Sequence, residues 1–363
     1  MSSFLAARCI AEPLRQTSDM GSHKSYGESL VKLGLSEADA KVFQNRKTLS
    51  KAGLNDLRSR LKNAPTLKSY PGLTIYAAGS FARGEASKHS DLDLFFIHDD
   101  TKPDTQVDDP HLKSIRVMSG VMRLMEDEMK LPPPSNDGQF LNIIRLSEML
   151  KHLGGPEDDH LNHFTARMLL MLESASVFGA ATYDAAIEGV IKSYLRDYED
   201  HARDFRPIFL VNDVLRFWKT LCLNYEHKRN QQDGAKKLKQ KIRNFKLGYS
   251  RLLTCFATVA LLSSYNSTSQ AELVSLCKLS PIEKLLKLTT RNPDLRPQVL
   301  SALQEYRWFL DKTALSSEQL ESFFSKKRNR TTAFQHAKRF GDLMYEVVSK
   351  SASKTNTLRY LVI

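Results

Sequence analysis

The chain has 363 residues, 41% of them apolar and 26% charged, with a net charge of +12. At roughly 150 residues per domain this is about two domains, long enough to bury roughly three quarters of the extended surface, which excludes a disordered or fibrous protein. No run reaches the ~18 uninterrupted apolar residues of a membrane span. The first residues, MSSFLAARCIAEPLRQ, lack the basic start and long apolar run of a signal peptide, so a cytoplasmic protein with no membrane partner is expected. Cys9, Cys222, Cys255 and Cys277 stand far apart without a C-x-x-C pair, which predicts reduced thiols rather than a zinc site or a disulfide framework.

Taken in chain order, Ser36 opens a helix with Glu37 and Asp39 in its first turn, and helical spacing continues to about residue 62. Pro71-Gly72 breaks the pattern. Residues 73–78 (LTIYAA) form a short β-prone run, from which Gly79-Ser80 turns into FARGEA. Residues 91–97 (DLDLFFI) alternate and then run apolar, as a strand buried on at least one face does. A helix is predicted over 112–130, ended by Pro132-Pro133-Pro134, and a third strand over 140–146. After Gly154-Gly155 the strand signals fade, and helical spacing covers 162–174, 183–198, 209–227, 238–265 and 297–312. Residues 351–363, rich in Ser, Lys and Thr at their start, read as a partly ordered tail. The expected organisation is an N-terminal extension over 1–25, an α/β domain over 26–175 and an all-helical domain over 176–363. These parts differ in charge: 26–175 has a net charge of −2 and 176–363 a net charge of +13.

The chemistry concentrates in Gly79-Ser80, a ten-residue gap, and then Asp91-x-Asp93. Alternate residues of a strand share a face, so Asp91 and Asp93 present two carboxylates side by side, a costly pairing unless a hard divalent cation lies between them. Ser80 follows a strand and begins a helix, where its hydroxyl and the nearby amides can receive an anion, with Gly79 allowing close approach. Alternatively Ser80 is a plain helix cap and the two acids are a solvated strand start. The segment GSFARGEASKHSDLDLFFI (79–97) resembles the active-site segment of the polymerase-beta-type nucleotidyltransferases, and its wording is most similar to that of the PII-protein uridylyltransferases and their relatives. Segments 136–145 and 165–173 and Gly179 are similar in order and spacing to the next strand and helix of those enzymes, so the resemblance spans roughly residues 70–180.

This resemblance implies an α+β fold: a small mixed-sheet nucleotidyltransferase domain with a C-terminal all-helical domain. It also implies two-metal phosphoryl transfer, with Mg2+ or Mn2+ as cofactor and a nucleoside triphosphate such as ATP as donor. Asp91 and Asp93 would be catalytic metal ligands and Gly79 and Ser80 nucleotide-binding. A third carboxylate is expected on the next strand; residues 140–146 contain none, which leaves Asp137, or a turn role for Asp137 and Glu173 in its place. Arg83 reaches a phosphate or faces water, and Arg145 needs a partner if buried. In the helical half, Asp213, Arg216, Thr220 and Asn224 share one helix face, which borders the cleft or is an exposed edge with Asp213–Arg216 pairing. On the same helix Lys219 and Tyr225 are candidates for triphosphate and base. Segment 228–251 holds nine basic residues against one acid, with Phe245 and Tyr249 interleaved; Lys236, Lys237, Lys239, Lys241 and Arg243 are the candidate RNA-binding residues, joined by a second basic cluster at 326–330. The acceptor is a protein side chain or a tRNA or other RNA end. The competing expectation is an inactive nucleotide-sensing or RNA-binding protein.

Overall fold

The computed structural model describes residues 20–131, 141–196, 198–201, 203–230 and 235–361, with backbone only at 20–25, 201, 228–230, 235 and 236. Two helices lead, α1 (Met20–Leu33) and α2 (Glu37–Asn63), the second capped by Ser36, whose hydroxyl accepts from the Asp39 amide at 3.1 Å. A short α3 (Pro65–Lys68) leads into β1 (Leu73–Ala78), α4 (Gly79–Arg83) and β2 (Asp93–His98). α5 (Pro110–Arg123) runs into a π turn, and β3 (Ile143–Arg145), α6 (Leu146–Lys151), α7 (Pro156–His160), α8 (His163–Leu172) and β4 (Ala175–Phe178) complete the α/β part. The remainder is helical: α9 (Ala180–Ser193), α10 (Tyr198–His201), α11 (Ile208–Asn230), α12 (Ala235–Lys246), α13 (Leu252–Ser263), α14 (Gln270–Cys277), α15 (Pro281–Arg291), α16 (Arg296–Lys312), α17 (Ser317–Ser325), α18 (Lys327–Ser353) and α19 (Leu358–Leu361).

The sheet has the order β3-β2-β1-β4, antiparallel except for the parallel β2–β3 pair. This is the expected small mixed sheet with a helical C-terminal region. Because β4 pairs with β1, the sheet continues to Phe178, across the expected boundary at 175. The period of two sorts its side chains between two cores. Leu73, Ile75, Ala77, Leu94 and Phe96 pack with Leu54, Leu57 and Leu61 of α2 and Val117 and Val121 of α5. Tyr76, Ala78 and Ile97 point the other way, into the main core shared with α8 and the later helices. Asp93, in step with Phe95 and Ile97, is therefore on the face turned to the helical region.

α2 ties the two parts together. Lys47 pairs with Glu283 of α15 at 2.6 Å and Arg307 of α16 with Asp39 at 2.9 Å. α12 and α13 are joined by a π turn over Leu247–Arg251 into one continuous helix. Its stretch Lys237–Ser263, 27 residues, is long and apolar enough to cross a membrane, yet 67% of the apolar window is buried within the bundle. Leu253, Ala257, Val259 and Ala260 there are fully enclosed. The expected loose tail is instead docked through residue 361: the Thr355 hydroxyl donates to the Ser263 carbonyl at 2.7 Å and α19 follows. Cys222, Cys255 and Cys277 are free thiols, while Cys9 lies outside the described residues.

Candidate functional site

The strand register builds the site. Ala78 lies opposite Asp93, so the chain leaves β1 beside that carboxylate and turns at once into α4. Gly79 makes the turn with φ +73°, and a Cβ there would sit 3.3 Å from Asp93 Oδ2; the glycine provides both the left-handed backbone and the room. The N-cap is Ala78, so Ser80 is not the capping residue. It is half-buried, and its hydroxyl has no hydrogen-bond partner among the described residues. The connection to β2 is pinned: the Ala86 amide donates to Ser50 Oγ of α2 at 2.9 Å and the Ser87 amide to Ser90 Oγ at 3.0 Å. Asp91 follows this turn, exposed and two residues ahead of half-buried Asp93, which opens the strand.

Behind Asp93 lies a group of buried charges. Arg83 is 7% exposed; its Nε donates to Glu85 Oε2 at 2.8 Å and its Nη1 to Glu173 Oε2 at 2.7 Å. Arg251, at the end of the π turn, pairs with the other oxygen of Glu173, and Thr254 Oγ1 lies 3.2 Å from Oε2. Burial and the neighbouring Arg83 push the Arg251 guanidinium down to about 10, against the pull of Asp93. Burial also disfavours the charged form of Arg83, but Glu85, Tyr306 and Asp93 outweigh it and the net direction is upward. The charge of Asp93 thus acts on two guanidiniums, one from each half of the molecule.

This placement corrects several expectations. Arg83 is buried and paired with two glutamates, and so does not face water. Glu173 is held by Arg83 and Arg251, so it is not an available third metal ligand. Asp137 lies outside the described residues. Arg145 is exposed and pairs with Asp100 at 2.8 Å and Glu148 at 3.5 Å. Asp213 does not border a cleft: it is buried and accepts from the Tyr194 hydroxyl at 2.6 Å, and Arg216 pairs with it at 3.5 Å and with Asp159. Lys219 is exposed and Tyr225 half-buried on the same helix, which packs against α8, α12, α13 and α19. Phe245 and Tyr249 are fully buried, Tyr249 stacking on Phe309 and Phe340, so they are core and not a base-stacking surface. Lys237, Lys239 and Arg243 are exposed and Lys241 half-buried; of Lys236 only the backbone is described. Arg251 is the site residue that the sequence does not single out; it is one basic residue among nine, and nothing marks the π turn that aims it.

Residues 60–159 match the family model of the nucleotidyltransferase domain, of the polymerase-beta-like superfamily, and the chain therefore carries a nucleotidyltransferase domain. The matched stretch includes Gly79, Ser80, Asp91 and Asp93. Comparison with curated proteins finds no match. Domains of this family transfer nucleotidyl groups from nucleoside triphosphates and generally use divalent metals. Among the described residues no three His, Cys, Asp or Glu side chains converge as a metal cage. A pair of aspartates suits Mg2+ nonetheless, because that ion is held by one or two carboxylates together with substrate phosphates and water. The residues present fit the ion on those terms.

Proposed function

We propose that the protein is a metal-dependent nucleotidyltransferase that moves a nucleoside monophosphate from a triphosphate to an acceptor hydroxyl. The observation that carries this reading is the register that sets Asp93 opposite Ala78, beside the Gly79-Ser80 turn with its unpartnered hydroxyl. Asp91 and Asp93 would hold the divalent ion, Mg2+ or Mn2+, which supplies neutralisation of the phosphoryl oxygens. The Ser80 hydroxyl and the amides of the turn bind phosphate oxygens of the donor. Arg83 and Arg251 position Asp93 and offset part of the negative charge that Glu85, Glu173 and Asp93 gather there. The acceptor oxygen bonds to the α-phosphorus, the bond from that phosphorus to the β-phosphate oxygen breaks, pyrophosphate leaves with the electron pair, and the acceptor proton passes to solvent.

The test is incubation of the protein with each α-labelled nucleoside triphosphate, Mg2+ or Mn2+, and cell extract, followed by separation of protein from RNA. Label is expected in one fraction, with pyrophosphate released in step. The double substitution Asp91→Ala, Asp93→Ala is expected to abolish both while the thermal unfolding temperature stays near that of wild type, since relief of carboxylate repulsion is set against the lost attraction of Asp93 for Arg83 and Arg251. Transfer retained in the double variant would overturn the mechanism. Triphosphate binding without pyrophosphate release, under either metal, would favour a sensing protein instead.

A further inference from the structure

α12, the π turn and α13 form one helix without a single Asp or Glu between residues 235 and 263. Along it, Lys239 and Arg243 are four residues apart and Arg243 and Lys246 three, which places them on one face. In an unbroken α-helix Arg251, five residues further, would turn well away from that face. The π turn prevents this: Leu252 donates its amide to the Leu247 carbonyl, five residues back, so residues five apart stack. Arg251 consequently continues the row of Lys239, Arg243 and Lys246, while Ile242, Phe245 and Tyr249 occupy the buried side. Lys239, Arg243 and Lys246 are exposed and pair with no acid among the described residues. The inner end of the row is the guanidinium that pairs with Glu173 and is acted on by the charge of Asp93.

From Lys239 to Arg251 the helix rises about 18 Å. A triphosphate bound beside Asp93 accounts for the inner end and leaves the outer three cations without a partner. A nucleic-acid strand, with a phosphate about every 3.4 Å in duplex geometry, supplies several charges over that length at regular spacing. We propose that the acceptor is the end of a nucleic-acid strand, its phosphates lying along Lys239, Arg243 and Lys246 and its terminal hydroxyl delivered past Arg251 to the Asp93 face. The inference rests on the nucleotidyl-transfer reading for the chemistry and on the helix alone for the binding.

The test measures binding by itself, without metal or triphosphate, from the fluorescence anisotropy of labelled single-stranded RNA and DNA of about 12 nucleotides against a salt series. For single strands the slope of log affinity against log salt is about −0.7 per phosphate contact, so the three outer cations give a slope of roughly −2. Lys239→Glu with Arg243→Glu is expected to cut the slope to about a third and weaken binding at least tenfold, whereas the same charge change at exposed Lys62 and Lys68 is expected to leave both near the wild-type values. RNA binding above DNA names the strand type. An unchanged slope in the first variant, or equal competition by polyglutamate, overturns the proposal; the latter outcome points to an acidic protein acceptor. Strand binding that depends on Lys239 and Arg243, in a protein that releases no pyrophosphate, overturns the transfer reading alone. Labelled protein in extract without strand binding overturns this inference alone.

Discussion

The helix α8 carries a buried ion network at each end, and the two are built differently. Towards its start, Arg167 is fully enclosed and makes two bonds of 2.7 Å to the two oxygens of Asp158, and a third of 3.0 Å to the Tyr194 hydroxyl, which itself donates to Asp213 at 2.6 Å. Every charge there has an opposite one in contact, and the group locks α7, α8, α9 and α11 together. At the other end, Glu173, the C-cap residue, gathers Arg83 and Arg251 while Glu85 Oε1 accepts no hydrogen bond among the described residues. This second network is open on the side of Asp93. The closed network resembles a scaffold, whereas one left incompletely satisfied beside a pair of carboxylates is the kind of local inconsistency that marks a working site.

The largest expected effect separates the two. Asp158→Asn takes from the enclosed Arg167 the nearer of its two ion partners, leaving Asp213 at 3.6 Å, and removing one member of a buried pair costs about 3–5 kcal/mol; urea unfolding should show the loss. Arg251→Gln removes a half-buried member of the open network while Arg83 still serves Glu173, for a cost of about 1–2 kcal/mol, but transfer activity should fall far more than stability. If Arg251→Gln proves as destabilising as Asp158→Asn and leaves transfer untouched, the contrast between scaffold and site fails.

The α/β elements are legible in the sequence to an extent that their neighbours are not. The strand at 73–78 is read to the residue, because Gly72 and Gly79 bound it, and Ser36 marks the start of α2 through its side-chain cap. Asp91 and Asp93 stand out because two acids before an apolar strand are costly. β4 escapes a sequence reading: four residues, ASVF, are too few to show a period, and their strand state comes from pairing with β1. Arg83 gives no sign of burial because its partner Glu173 is 90 residues away. The basic run conceals an amphipathic helix: Leu238, Ile242, Phe245 and Tyr249 recur at helical spacing among the lysines, and the aromatic pair that reads as a surface belongs to that inner stripe. The π turn has no local sequence mark, so the aim of Arg251 comes only from the fold.

Lys284 refines the comparison, being a cation enclosed near the open network whose hydrogen bonds go to neutral acceptors. Its Nζ donates to Thr258 Oγ1 at 3.0 Å and to the Leu172 carbonyl at 3.2 Å, one residue before Glu173. Burial pushes it down to about 8, with only partial compensation from Cys277, Cys255 and Glu283. Between that value and its ordinary 10.5 the unfolded chain binds more protons than the folded one, so stability rises with pH across about 8 to 10.5 and the full cost of the buried charge is felt below 8. The contribution is on the order of 3 kcal/mol. Denaturant unfolding of wild type and Lys284→Met at pH 7.5 and pH 10 isolates it: the gain on raising pH should be larger in wild type. Equal gains would mean that Lys284 is not held in a depressed state.

The smallest expected effect on stability is the most direct probe of the open network. Gly79 and Gly84 both sit at φ +73°, so alanine at either position strains the backbone by a similar amount, about 1 kcal/mol. Their surroundings differ. A Cβ at Gly84 meets Lys47 Cγ at 3.5 Å, an ordinary contact with the stem of a flexible side chain, whereas a Cβ at Gly79 meets Asp93 Oδ2 at 3.3 Å and crowds the carboxylate itself. Gly79→Ala and Gly84→Ala should therefore lower the unfolding temperature alike, and only Gly79→Ala should depress metal-dependent transfer, by at least tenfold. Parallel losses of activity in the two variants would mean that the α4 turn matters for its backbone alone, and that Asp93 tolerates displacement.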